Sequence, residues 1–128
     1  MLAASALAAQ VVHGADPGAI LPAKLLEQAV PTLTRYRDLP QIGGVACAIG
    51  SYLIAVDREV AVGLDLLILA LNVFCRQDYP SMRWQRHVDA AIAKLGAARV
   101  DEARGRLGHL RRNESADRIM SMLRSLDA

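Results

Sequence analysis

The stretch Val60-Ala61-Val62-Gly63-Leu64-Asp65-Leu66-Leu67-Ile68-Leu69-Ala70-Leu71-Asn72-Val73-Phe74-Cys75-Arg76 holds a single acid and no base before its last residue. At about 100° per residue, Val60, Gly63, Leu67, Ala70, Leu71 and Phe74 share one helix face. Asp65, Asn72 and Arg76 mark the side expected to be wet. Val62, Leu66, Leu69 and Val73 then form a second apolar stripe. One apolar face is enough for a helix at the edge of a small bundle. A second stripe must be covered by another helix of the same chain or by another chain, because large exposed apolar patches signal contact.

The preceding segment has the same character. From Gln41, Ile42, Val45, Ile49, Leu53 and Val56 form one stripe, and Gly43, Ala46, Cys47 and Gly50 form another of small residues. Small residues let a second backbone come close, at a cost of about 1 kcal/mol in helix propensity for each glycine relative to alanine. This helix is therefore expected to lie sandwiched between neighbours. Asp57-Arg58-Glu59 is expected to break the chain direction, with Asp57 capping the following helix; a hairpin turn between two strands is the weaker alternative. The uncharged run from Leu39 to Val56 contains Pro40, Gly43, Gly44 and Gly50, and a membrane-spanning helix needs roughly 20 mostly apolar residues. Two buried helices are expected here, and no membrane association.

On the N-terminal side, Met1 to Ile20 reads as an Ala-rich helix and a loop, with His13-Gly14-Ala15-Asp16-Pro17-Gly18 as the loop. No basic n-region or long apolar core marks a secretory leader. Residues 21–128 read as a single helical domain. Pro22 suits a first helical turn, and Leu25, Leu26, Ala29, Val30 and Leu33 keep the helical period. Pro31 should kink or end that helix, with Thr32 to Leu39 as a polar connection. On the C-terminal side, Asp78 to Ser81 reads as a turn with Ser81 as N-cap. Trp84, Val88, Ala91 and Leu95 form one face, and Gly96 is a stop. Val100, Ala103, Leu107 and Leu110 form the next face. Asn113 or Ser115 is expected to cap a last helix carrying Ile119, Met122, Leu123 and Leu126. The last two helices are expected to pair antiparallel. The fold class is all-α, a compact bundle of five or six helices with two central apolar helices.

The chain has 128 residues, 53% hydrophobic, 22% charged and only 4% aromatic, so its core is aliphatic. That length can bury a core without disulfides. The formal net charge of +2 conceals an asymmetry. Residues 1–75 carry four basic and six acidic side chains, and residues 76–128 eleven and seven. Arg99, Arg104, Arg106, Arg111 and Arg112 make a basic cluster, a docking patch for an acidic or phosphate partner if it is not simply a solvated helix face balanced by Asp101, Glu102 and Glu114. It lacks the interleaved aromatics of single-strand binders. Two cysteines, Cys47 and Cys75, make no disulfide framework, and a reduced, cytoplasmic setting is expected; the alternative is a disulfide between chains through one of them at an interface.

Catalytic signatures are faint. His13 reads as a solvated loop residue and His87 as a boundary residue beside Trp84. His109-Leu110-Arg111-Arg112-Asn113 slightly resembles the phospho-accepting helix of histidine phosphotransfer domains, which are helical bundles of similar size. Those carry a Lys three residues after the His and then a Gly, where Arg112 and Asn113 stand here. The resemblance implies a phosphate on His109 beside Arg charges; the plainer reading is a solvated His near a helix end. No catalytic residue, cofactor or metal ligand set is expected. The expected function is a small helical protein–protein interaction or regulatory protein of the anti-activator, adaptor or assembly-chaperone class. It would bind another protein chain, its own copy in a homodimer or a heterologous protein, through Val62, Leu66, Leu69 and Val73. The alternative is a nucleic-acid-associated accessory subunit using the Arg-rich C-terminal helices.

Overall fold

The computed structural model describes residues 20–36, 39–73 and 84–127, with side chains described at all of these except 20–25, 28, 36, 40, 84 and 127. The Ala-rich start, His13, Phe74, Cys75, Arg76 and the turn with Ser81 lie outside the described residues. The described residues form six helices: α1 Ile20–Tyr36, α2 Leu39–Ala55, α3 Val60–Leu71, α4 Trp84–Leu95, α5 Ala97–Leu107 and α6 Arg112–Asp127. The described chain is an all-α bundle, with α2 and α3 at its centre.

The central pair is a helical hairpin, and α2 and α3 make the most extensive helix–helix contact in the bundle. The glycines set its closeness. A Cβ on Gly50 would stand 2.6 Å from the Gly63 carbonyl oxygen and 3.0 Å from the Leu67 backbone nitrogen. A Cβ on Gly63 would stand 2.9 Å from the Gly50 oxygen. The two backbones thus touch at a point where only hydrogen fits, so the propensity lost at Gly50 is exchanged for interhelical packing. Residues 42–54 are buried without interruption, which accounts for the absence of charge in α2. Cys47 is fully buried and unbridged, so it cannot reach a second chain without unfolding α2.

The break between the two helices falls at Asp57 to Glu59, as expected. Its chemistry differs from expectation. Asp57 and Glu59 have positive φ, 57° and 46°, a left-handed conformation that costs a residue with a side chain about 1–2 kcal/mol. Glu59 occupies the N-cap of α3 and makes no side-chain cap hydrogen bond. Asp57 does not cap α3; its carboxylate turns to Lys94 of α4, 3.2 Å away.

α3 is enclosed by its own chain. Leu66, Leu67, Ile68 and Leu69 are four consecutive residues, none more than 1% exposed. At about 100° per residue, four consecutive positions sample the whole circumference of a helix. The cover comes from α2, α4, α5 and α6, each of which packs on α3. The side expected to be wet is where α5 and α6 arrive. Asp65 is only partly exposed and accepts from Arg106 Nη2 at 3.0 Å. Asn72, the C-cap of α3, donates through Nδ2 to the Leu107 carbonyl at 2.9 Å and to Ser115 Oγ at 3.0 Å. These polar residues are the points where two later helices are fastened, not a solvated edge.

Three further expectations are corrected. α1 continues through Pro31 to Tyr36. Pro31 is exposed while Ala29, Val30 and Leu33 are buried, so core contacts beyond the proline hold the last turns against its helix-breaking cost of about 3 kcal/mol. α6 starts at Arg112, and the Ser115 amide donates to the Arg111 carbonyl at 2.9 Å. Asn113 and Ser115 are therefore inside the helix and neither caps it; Ser115 is buried against Asn72. Nor do α5 and α6 form a pair. α5 packs on α3 and α4, and α6 packs on α1, α3 and α2. The apolar faces of both are used on the central hairpin, which leaves little for each other. Gly96 does stop α4: its φ is 94° and its amide donates to the Ile92 carbonyl at 2.8 Å.

Candidate functional site

The proposed contact stripe is core. Leu66, Leu69 and Val73 are 0%, 1% and 4% exposed, and Val62 is half-buried against the same cluster. The extra apolar face of α3 is covered by helices of its own chain at Leu66, Leu69 and Val73, and only Val62 keeps part of its surface open. The expectation of a homodimer loses the surface it rested on.

The five arginines of the basic cluster are exposed on α5 and around the α5–α6 connection. They do not stand as an isolated positive face. Arg106 donates to Asp65 across helices and through Nε to Glu102 at 3.1 Å one turn away. The hydrogen bonds it donates to these carboxylates hold its guanidinium charge more firmly than in a free arginine, with the Asp65 bond the larger cause. α5 carries Arg99, Arg104 and Arg106 against Asp101 and Glu102, a net of +1. His109 is exposed in the turn after α5 rather than mid-helix, which departs further from the phosphotransfer pattern.

The structure brings together a different set of residues. Ser51 on α2 and His87 on α4 are both buried, at 6% and 2% exposure. Ser51 Oγ lies 2.6 Å from His87 Nδ1, a hydrogen bond between residues 36 positions apart. The pair sits at the floor of a cleft between α2 and α4, of about 250 Å³, lined also by Ile54, Ala55, Ala90, Ala91 and Lys94. Ser51 follows Gly50, on the turn of α2 held tight against α3, so the hydroxyl is placed by that close backbone contact. His87 lies one residue before the buried Val88 and one turn before the buried Ala91. That register turns the ring inward to α2.

Lys94 stands further along α4 at the same cleft. Its ammonium donates to the Ala55 carbonyl at 2.8 Å and pairs with Asp57 at 3.2 Å. Ala55 is the last residue of α2, so Lys94 supplies the positive charge that a helix C-terminus favours. It also straps the left-handed turn to α4. The Asp57 carboxylate is 73% exposed, and such ion pairs contribute roughly 0–1 kcal/mol.

Sequence reasoning passed over this cleft. Nothing local in the sequence singles out Ser51, and His87 reads as a boundary residue. The one available signal was a polar residue in each of two otherwise apolar helix faces, Ser51 amid residues 42–54 and His87 beside Val88. Buried polar groups need hydrogen-bond partners, and here each is the partner of the other. Among the described residues no group of His, Cys, Asp and Glu could hold a metal ion, and no helix is long and apolar enough to cross a membrane. Comparison of the chain with protein families, with curated proteins and with solved structures found no match.

Proposed function

We propose that this chain is a small helical interaction protein of regulatory type. It acts by non-covalent recognition, and the α2–α4 cleft is its recognition site in place of the buried stripe on α3. The observation that carries this is the composition of the cleft: four apolar residues form its walls, and its polar groups are confined to Ser51, His87 and Lys94. Binding sites have this character, mostly apolar with a few convergent polar groups that fix orientation.

A serine beside a histidine also raises acyl transfer, in which histidine takes the serine proton. The setting disfavours that chemistry. Ser51 lies inside α2, with four helical residues after it. The amides around it are committed to the i→i−4 ladder, and the ladder runs on to the Val56 amide, which donates to the Tyr52 carbonyl at 3.0 Å. An oxyanion hole needs backbone donors that are not already engaged. The hydrogen bond is better suited to fixing the cleft floor.

Ala90→Trp tests the proposal. Ala90 is exposed at the cleft, so an indole there fills the cleft and leaves the core alone. Proteins and small molecules retained by the immobilised chain should be lost with this variant and kept with Ala98→Trp, at an exposed position on α5. Thermal melts of both variants should match wild type. Retention unchanged by Ala90→Trp sinks the proposal.

A further inference from the structure

We infer that the α2–α4 cleft binds a small organic monocarboxylate, with the apolar body between the alanine and isoleucine walls and the carboxylate on Lys94. This rests on the cleft being the recognition site. Size is the first argument. A cavity of about 150 Å³ lined by apolar side chains is enough for benzene, so about 250 Å³ has room for a six-membered ring or a short chain together with its head group.

Charge is the second argument. An ammonium has three N–H donors. Lys94 uses one on the Ala55 carbonyl and one on Asp57, and the third has no partner among the described residues. The Ala55 bond pins the ammonium at the cleft whether or not Asp57 is engaged. Asp57, exposed and 3.2 Å away, is the group a ligand carboxylate would compete with. A ligand carboxylate takes the third N–H beside Asp57, or displaces Asp57, whose exposed carboxylate loses little on returning to water. Ser51 and His87 close the far end. Their mutual hydrogen bond holds both side chains in place there.

The test uses the full chain, with benzoate and benzyl alcohol as probes of matched size that differ in charge, followed by amide NMR titration. Benzoate should shift the amides of Ser51, Ile54, Ala90 and Ala91. Benzyl alcohol should bind about tenfold more weakly, the loss of roughly one charge-assisted hydrogen bond. Lys94→Gln keeps a donor for the Ala55 carbonyl but removes the charge, and should erase the preference for benzoate; Lys94→Arg should restore it. Asp57→Asn removes the competitor and should tighten benzoate a few-fold. If benzyl alcohol binds as well as benzoate, or Lys94→Gln leaves the preference intact in a protein that melts normally, the carboxylate assignment is overturned while the cleft remains a binding site. If neither probe moves those amides, the cleft proposal falls as well.

Discussion

Replacing Gly50 by alanine should destabilise the protein, although the same change in an unconstrained helix stabilises it. The new methyl group would meet the Gly63 oxygen at 2.6 Å, and ordinary contact begins at 3.4 Å. Both the Gly63 oxygen and the Leu67 nitrogen are backbone atoms, so neither can rotate away. The helices must part by up to about 0.8 Å at their crossing. A gap of about 0.5–1 Å forfeits a quarter to a half of the dispersion energy of each facing atom pair. Overpacking of this kind costs about 1–3 kcal/mol, and a clash with backbone belongs at the upper end. Subtracting about 1 kcal/mol of gained helix propensity leaves a net loss of about 2 kcal/mol. For a chain of this size that is a fall in melting temperature of roughly 6–10 °C. Gly105 in α5 is the control, since a Cβ there meets nothing within 4 Å. Gly105→Ala should gain up to about 1 kcal/mol and melt higher. Thermal unfolding followed by circular dichroism, with urea midpoints at constant slope, reads both. A Gly50→Ala protein as stable as wild type would mean that α2 and α3 do not approach so closely.

Leu69→Asp should give a chain without helical circular dichroism at 25 °C, because a carboxylate in a fully enclosed site costs several kcal/mol of a total of about 5–15. A folded monomer that had only lost self-association would return the α3 stripe to the surface. Asn72→Ala should cost about 1–2 kcal/mol, since it strips the Leu107 carbonyl and Ser115 of their shared donor; an unchanged urea midpoint would refute the fastening role. Glu59→Gly should raise the urea midpoint by the equivalent of about 0.5–1 kcal/mol, because glycine adopts the left-handed backbone without penalty. A lower midpoint would show that the Glu59 side chain contributes more than its strain costs.

Much of the fold was legible because hydrophobic periodicity reports burial. The uncharged α2, the twice-striped α3, the break at Asp57 and the stop at Gly96 all follow from local pattern. The same pattern cannot say who does the covering. Periodicity showed that Leu66 and Leu69 must be hidden, and only the packing of α5 and α6 shows that the chain hides them itself. Asp65 and Asn72 misled because a polar residue facing water and one facing Arg106 or Ser115 have the same letter. Pro31 was read by its local cost, which the burial of Leu33 outweighs. The cleft was not legible because Ser51 and His87 are 36 positions apart, and each alone is an ordinary polar residue in a helix.

That four helices cover the middle of α3 has a consequence for how the protein is made. Part of its wrapping is α6, which follows α3 by some 40 residues and supplies the buried Ile119, Met120 and Leu123. During synthesis, at about 5–20 residues per second, the leucines of α3 leave the ribosome seconds before that cover exists. A nascent chain halted at Gly108 should therefore be cleaved readily by protease, while the finished chain resists. Until α6 arrives, part of the α3 surface stays uncovered in the growing polypeptide, and a holding chaperone is the natural custodian of that interval.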